Sequence, residues 1–283
     1  MKVLLHVNYY EGAGKFDRLF KLIRVSGADG VELRAARYYD MDKSGYWHMV
    51  EELKQKNPEA EIVFGYPLHF TTVDEDTQKR EFEDFVTFLD WAHGKIGTNL
   101  LNMFTDNFLD PAHAYTEYDK QGSTLATEED YVKHGAGLTR AGRELEKRGM
   151  LAALESHNCY IHDTATSCRK LLDHVQSDAI GINYDHGNIF LNNKGESIDD
   201  VFKLLKGRIY YAHLKNGMKT TAGQYLATHL ADGYIDTAKV LEGLKTELKS
   251  GIFTIEYSCP GDGLIAAKTD MEYIRYLREW LDF

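Results

Sequence analysis

The sequence contains few of the residues that mark several other classes of protein. Among 283 residues there are only four prolines and three cysteines, which are Cys159, Cys168 and Cys259. Three cysteines without metal-like spacing do not form a disulfide framework, so they favour a reducing, cytoplasmic setting and no catalytic thiol. Because no Pro-, Gly- or Ser-rich linker interrupts the chain, we expect a single domain over residues 1–283.

Positive charge and long apolar runs are also scarce. Lys and Arg number 33 against 44 Asp and Glu, which gives a net charge of −11 with histidine neutral. Nucleic acids and anionic membranes both attract cationic surfaces, so we expect neither as a partner. No apolar run approaches the roughly 20 residues that span a bilayer. The N-terminal segment, residues 1–8, becomes polar too early for a signal peptide.

What the sequence does contain is an apolar fraction of 43%, enough for a large core. Short apolar or β-branched runs alternate with stretches of helical period, as in a chain of strand–helix units. Several runs are apolar nearly throughout, which is typical of parallel strands covered by helices. The eight predicted strands are Val3–Val7, Gly30–Leu33, Glu61–Tyr66, Asn99–Phe104, Leu151–Glu155, Ala179–Asp185, Arg208–His213 and Phe253–Tyr257.

Eight strand–helix units predict an α/β fold, a single closed (β/α)8 TIM barrel. The alternative is an open, doubly wound sheet, which would usually carry a glycine-rich phosphate turn after its first strand. Gly12-Ala13-Gly14 stands near that place but lacks the third glycine. The barrel is therefore the favoured fold.

Local signals place some helix ends and two long loops. Thr127 with Asp130, and Thr269 with Glu272, resemble capping pairs that would each begin a helix. The connections 105–126 and 216–235 are too long for ordinary turns, and both follow predicted strands. We expect them at the carboxyl end of the barrel, where long loops commonly form lids or binding walls.

Four consecutive predicted strands carry a metal-binding type of residue at or near their ends. These residues are Glu155, Asp185, His213 and Glu256, each about one strand–helix unit from the next apart from the long loop before Glu256. Side chains alternate along a strand, so all four can point into the mouth of the barrel.

Three carboxylates in one dry cavity would repel one another unless they took up protons or bound a cation. With an imidazole they make a mixed oxygen and nitrogen set, which suits Mn²⁺, Mg²⁺, Co²⁺ or Zn²⁺. Such a set argues against a closed thiolate zinc site. Each residue alone could be an ordinary rim charge or core histidine; the recurrence over four strands favours a metal site.

The same stretches resemble the xylose-isomerase-like TIM-barrel superfamily of sugar phosphate isomerases and epimerases. The pattern is closest to the ketose 3-epimerases and the inositol-catabolism members. The matching segments are Gly27–Arg34, Leu154–Asn158, Asn183–Asn188, His213–Asn216 and Ile255–Tyr257, with a weaker match at Asp232–Asp236.

The resemblance implies one divalent metal ion, first Mn²⁺ or Mg²⁺ and otherwise Co²⁺ or Zn²⁺. Its ligands would be Glu155, Asp185, His213 and Glu256. Glu155 and Glu256 would also be catalytic and move a proton on opposite faces of the sugar. The implied function is a sugar isomerase or epimerase that acts through an enediolate on a small-molecule carbohydrate, a ketose or a keto-sugar acid.

Further residues are candidates for substrate binding. His157 and Lys215 each lie two positions beyond a predicted ligand and could share its face. Glu32 ends the second strand, where family members often hold a substrate-side or supporting acid; the alternative is an ion pair with Arg34 or Arg37. His69 and Asn8 lie near predicted strand ends, whereas we expect His186 to face outward or to support the ligands.

Other functions remain open at the level of sequence. The same barrel and metal could serve a lyase that dehydrates a keto-inositol or dehydroshikimate-like compound, or could bind a sugar without turnover. An endonuclease IV-like nuclease would need three zinc ions and extra histidines, but Asn188 stands where a second ligand after strand six would be expected. Related barrels also form dimers and tetramers, so a homodimer or homotetramer is compatible with the resemblance. The turn 259–263 could present backbone N–H groups to a phosphate, and its glycines fit a tight turn equally well.

Overall fold

The computed structural model describes residues 1–10, 16–35, 42–192, 194–221, 224–256 and 261–282. Strands and helices alternate through these ranges. In chain order the elements are β1 (Lys2–His6), α1 (Phe16–Ser26), β2 (Gly30–Arg34), α2 (Lys43–Lys56), β3 (Glu61–Pro67), α3 (Glu75–Trp91), β4 (Leu100–Phe104), α4 (Glu128–Glu146), β5 (Leu151–Glu155), α5 (Ala165–Asp173), β6 (Ile180–Asp185), α6 (His186–Asn192), α7 (Ile198–Leu204), β7 (Ile209–Leu214), β8 (Asn216–Lys219), β9 (Tyr225–Thr228), α8 (Thr237–Glu247), β10 (Ile252–Ile255) and α9 (Gly263–Trp280).

Eight of the strands close into a parallel barrel. The order around it is β1-β10-β7-β6-β5-β4-β3-β2, and β1 pairs in parallel with both β10 and β2. This confirms the predicted (β/α)8 barrel and rules out the open sheet. The turn Gly12-Ala13-Gly14, the end of the last predicted strand at Tyr257, Arg37 and Cys259 lie outside the described residues.

The eight barrel strands fall within two residues of their predicted positions. The chain also forms an antiparallel hairpin, β8–β9, in which Asn216 pairs with Thr228. The hairpin lies inside the second long connection and was not predicted. Its strands have only four residues each and no sustained apolar alternation, so the sequence carries little strand signal there.

One predicted capping pair is confirmed and the other is wrong. Thr127 and Asp130 form a reciprocal capping box at the start of α4. The final helix instead begins at Gly263, where the Asp262 side chain accepts hydrogen bonds from two backbone N–H groups. Thr269 therefore lies inside the helix, because an earlier residue already satisfies the free N–H groups of the first turn.

The apolar core has two parts that together position the barrel mouth. The larger part lies between the strands and the helices, whereas a smaller cluster includes Ala153 and Tyr211. Those two residues precede Glu155 and His213 by two positions on the same strands, so each pair shares one face. The inward polar side chains thus stand one layer above packed apolar side chains. No helix among the described residues is long and apolar enough to cross a membrane.

Candidate metal centre

The four predicted ligands converge at the mouth of the barrel. Ligand atoms of Glu155, Asp185, His213 and Glu256 all lie within 4.8 Å of one another. The first three side chains are almost fully buried, and the Glu256 side chain is 14% exposed. Asp185 and His213 lie side by side in the register of β6 and β7, so the sheet itself sets their separation.

The His213 imidazole supplies the test of whether a metal fits. Its Nδ1 is buried and forms no hydrogen bond, yet it faces Glu155 at 3.4 Å, Glu256 at 3.5 Å and Asp185 at 3.8 Å. Its Nε2 lies 2.6 Å from a Glu32 oxygen. A divalent cation that replaced the Nδ1 proton, with the other proton kept on Nε2, would satisfy the Nδ1 lone pair and the three carboxylates together.

Glu32 holds the His213 ring in this orientation through the contact with Nε2. Its carboxylate accepts hydrogen bonds from the Tyr211 hydroxyl at 2.6 Å and from the Asn102 amide at 2.8 Å. Burial opposes its ionisation, but the charge of His213 and the hydrogen bond to it lower the pKa of Glu32 to about 2. Arg34, the partner considered from sequence, instead donates to Asn8 at 2.7 Å.

Two asparagines that the sequence analysis did not count among the site residues also orient the carboxylates. The Asn102 side chain donates to Glu155 at 2.8 Å. The Asn188 side chain donates to Glu155 at 3.1 Å and to Asp185 at 2.9 Å. The one available signal for Asn102 was a polar residue inside an otherwise apolar strand, and Asn188 had been considered only for the nuclease ligand that it replaces.

The charges of the cluster favour added positive charge. Burial is the main reason that the pKa of Asp185 rises to about 6, and nearby Glu256 and Glu155 add to the rise. Burial also opposes charge on His213, but Glu32 and Glu155 raise its pKa well above the ordinary value. Burial opposes the ionisation of Glu256, but Lys215, His213 and His6 together hold its pKa well below the usual range.

A cavity of about 160 Å³ opens beside the cluster. Glu155 and Glu256 line it together with His157, whose Nδ1 lies 2.9 Å from the Asn158 carbonyl oxygen. The residues that complete the wall are His6, Glu32, Arg34, Gly65, Phe104 and Tyr160. The rings of Phe104 and Tyr160 contact the His157 ring edge-on, so this wall is partly aromatic.

The remaining candidates divide into those near the cluster and those apart from it. The Asn8 side chain donates to Glu256 at 3.1 Å, and Lys215 lies 2.8 Å from both Asp185 and Glu256. His69 is elsewhere: it pairs with Glu81 at 3.0 Å and lines a separate surface cavity between α3 and α4. His186 Nδ1 lies 2.8 Å from the Tyr184 hydroxyl, and His186 is not part of the cluster at the mouth.

The chain also matches a known protein family. The family model described as xylose isomerase-like TIM barrel matches residues 20–281. The chain belongs to that family. A comparison with curated proteins finds no match.

Several solved structures share the fold over almost the whole chain. One is a xylose isomerase-like TIM barrel protein from Mycobacterium smegmatis in complex with magnesium, at 17% identity and a TM-score of 0.73, covering 99% of this chain and 97% of that one. Another is the probable 3-DHS dehydratase AsbF of Bacillus anthracis, at 17% identity and 0.72, covering 97% and 99%. A third is an L-ribulose 3-epimerase, at 15% identity and 0.74, covering 99% and 95%. At these identities the likeness shows the fold alone.

Proposed function

We propose that this protein is a divalent-metal-dependent sugar isomerase or epimerase acting on a ketose or a keto-sugar acid. The observation that carries the proposal is the buried His213 Nδ1, which has no hydrogen-bond partner and faces three carboxylates. A structural cluster of this kind would be costly without compensating charge. The proposed ligands are therefore Glu155, Asp185, His213 and Glu256, with Mn²⁺ or Mg²⁺ as the metal.

A cation at this place would supply positive charge opposite a substrate oxygen as that oxygen becomes negative. The chain itself supplies the groups that move the proton. Glu155 lies on β5 and Glu256 follows β10, with β6 and β7 between them in the barrel, so the two carboxylates approach the cavity from different sides. This suits removal of a proton on one side of a bound sugar and its return on the other.

The side chains around the carboxylates keep this geometry fixed. Asn102 and Asn188 donate to opposite oxygens of Glu155, and Asn8 donates to Glu256. Both carboxylates also line the cavity directly. His157 presents its Nε2 edge at the same wall because its Nδ1 is engaged by a backbone carbonyl, so we include it as a substrate contact.

The experiment is hydrogen exchange in D₂O with Mn²⁺-loaded protein and a panel of ketoses and keto-sugar acids. We expect deuterium to enter the carbon next to a carbonyl, with loss of exchange in Glu155→Gln and Glu256→Gln. A product that absorbs in the ultraviolet as an enone would identify the lyase instead. Mn²⁺ binding without exchange in any compound would contradict the isomerase or epimerase proposal.

A nuclease is less well supported by the side chains present. Within the described ranges, the metal-binding side chains that converge are those of the cluster at the mouth, which contains one histidine and has Asn188 beside it. A three-zinc centre requires more histidines than that. Metal content decides the point, since about one ion per chain supports the isomerase and about three the nuclease.

A further inference from the structure

Lys215 is bound to the proposed ligands rather than directed into the cavity. Its Nζ lies 2.8 Å from Oδ2 of Asp185 and 2.8 Å from Oε2 of Glu256. The side chain is 9% exposed, and both contacts are charge-assisted hydrogen bonds at close range. A buried ammonium group held this way is a counter-ion for two of the three carboxylates.

The two oxygens that Lys215 contacts also face Nδ1 of the imidazole. His213 Nδ1 lies 3.8 Å from Oδ2 of Asp185 and 3.5 Å from Oε2 of Glu256. A cation bound by Nδ1 and these carboxylates would use the same oxygen atoms. Lys215 and the cation would then be like charges within a few ångströms, in surroundings that screen them poorly.

The absence of a side chain at Gly187 leaves room for the Lys215 side chain in this position. Gly187 follows Asp185 by two residues, and a Cβ atom there would come 2.4 Å from Cγ and 3.0 Å from Cε of Lys215. Contacts that short would push the stem away from Asp185. Glycine at 187 is therefore what allows the lysine to lie against the ligand set.

We propose that Lys215 is a built-in competitor for the divalent cation, which holds Asp185 Oδ2 and Glu256 Oε2 until the cation binds. Cation binding then moves Nζ away from at least one of these oxygens. This inference rests on the proposed metal site. It assigns Lys215 a role in setting metal affinity that is separate from proton transfer by Glu155 and Glu256.

The test compares Lys215→Met with Lys194→Met. Lys194 is a matched control because its Nζ forms a 2.6 Å ion pair with the buried Asp163, and its side chain is 14% exposed. Asp163 is not among the proposed metal ligands. Mn²⁺ affinity is measured by calorimetry, and thermal unfolding is followed with and without Mn²⁺ for the wild type and both variants.

We expect Lys215→Met to bind Mn²⁺ about tenfold more tightly or better, and to gain more in Tm from Mn²⁺ than the wild type does. Lys194→Met should lose stability equally with and without Mn²⁺ and keep the wild-type affinity. Unchanged or weaker binding in Lys215→Met would overturn the proposal. Absence of Mn²⁺ binding in the wild type would instead overturn the metal site itself.

A second measurement covers the case in which Lys215→Met does not fold. A crystal structure of the wild-type protein grown with Mn²⁺ should show Nζ more than about 4 Å from at least one of the two oxygens. A lysine that keeps hydrogen bonds to both oxygens with Mn²⁺ bound would overturn the proposal.

Discussion

Two buried aspartates, Asp106 and Asp185, have very different neighbouring groups. Both carboxylates are fully shielded from solvent. Asp106 is surrounded by donors, and its pKa is lowered because these outweigh the effect of burial. The groups that donate to it or pair with it are the backbone N–H groups of Phe70, Thr71 and Thr72, the Thr72 hydroxyl and the His134 ring.

Asp185 lies among like charges instead. It accepts from Asn188 and pairs with Lys215, but burial together with Glu256 and Glu155 raises its pKa to about 6. A structural carboxylate is thus satisfied by its own chain, whereas the cluster at the barrel mouth carries negative charge that the chain does not fully compensate. Asp106 therefore holds the backbone of residues 70–72 in place, whereas Asp185 belongs to a candidate cation site.

The largest expected effect comes from Asp185→Asn. This variant keeps the shape of the side chain and removes the charge, so we expect Mn²⁺ affinity to fall by about 100-fold or more. The metal-free protein should keep its fold, since one of three neighbouring carboxylates has been neutralised. Calorimetric titration with Mn²⁺ measures the change, and an affinity within about threefold of the wild type would remove Asp185 from the ligand set.

Asp106→Asn is the matched change in the other region. One amide oxygen can accept fewer of the hydrogen bonds, and the amide nitrogen would face donors, so we expect a loss of about 2–4 kcal/mol in the free energy of unfolding. Mn²⁺ affinity should stay as in the wild type. Urea unfolding and Mn²⁺ titration of the same preparation separate the two effects, and a parallel loss of Mn²⁺ binding would contradict the comparison.

The contribution of Asp106 should also depend on pH in a defined direction. Its folded-state pKa is lower than the unfolded value of about 3.9, so its stabilisation is complete at neutral pH and is lost as pH falls through the range below about 4. The difference in unfolding free energy between the wild type and Asp106→Asn should shrink over that range. Urea titrations at several pH values measure it, and a constant difference down to pH 3 would be evidence against this origin.

Glu32→Gln is expected to have a smaller effect on the metal site. The amide can still accept from His213, but the charge beside the imidazole is gone, so Mn²⁺ affinity should weaken by about tenfold. The Tyr211 hydroxyl should retain a partner, which limits the loss of stability. Titration with Mn²⁺ measures the change. If the affinity is unaffected, Glu32 does not tune His213.

The smallest expected effect is that of His69→Ala. His69 pairs with Glu81 and lies in a cavity apart from the cluster, so both Mn²⁺ affinity and hydrogen exchange should stay within about twofold of the wild type. The sequence had suggested His69 as a substrate contact. A large rise in KM for the exchanged sugar would support that prediction.

The sequence predicted most of the barrel because strand positions depend on local pattern. Parallel strands covered by helices are apolar nearly throughout, and Glu155, Asp185 and His213 lie at or next to the carboxyl ends of three of them. The β8–β9 hairpin was not predicted because its short strands carry almost no such pattern. The Thr269 prediction was wrong because a capping motif also occurs inside helices, and the Asp262 side chain already caps the start of this helix.

The residues that contact the predicted metal ligands could not be identified from the sequence for a different reason. Asn102 bonds to Glu32 and Glu155, which are far away along the chain and come together only when the barrel closes. Lys215 was expected on the same face as His213, and its Nζ lies beside the carboxylates of Asp185 and Glu256 there. Side-chain direction follows from strand alternation, whereas the partner depends on distances across the barrel.

The central claim is that Glu155, Asp185, His213 and Glu256 hold one divalent cation. Equilibrium dialysis against Mn²⁺, followed by elemental analysis, tests it most directly for the wild type and His213→Ala. The account predicts about one tightly bound Mn²⁺ per wild-type chain and none in the variant. A wild-type chain without bound metal, or a variant that keeps the wild-type content, would contradict it.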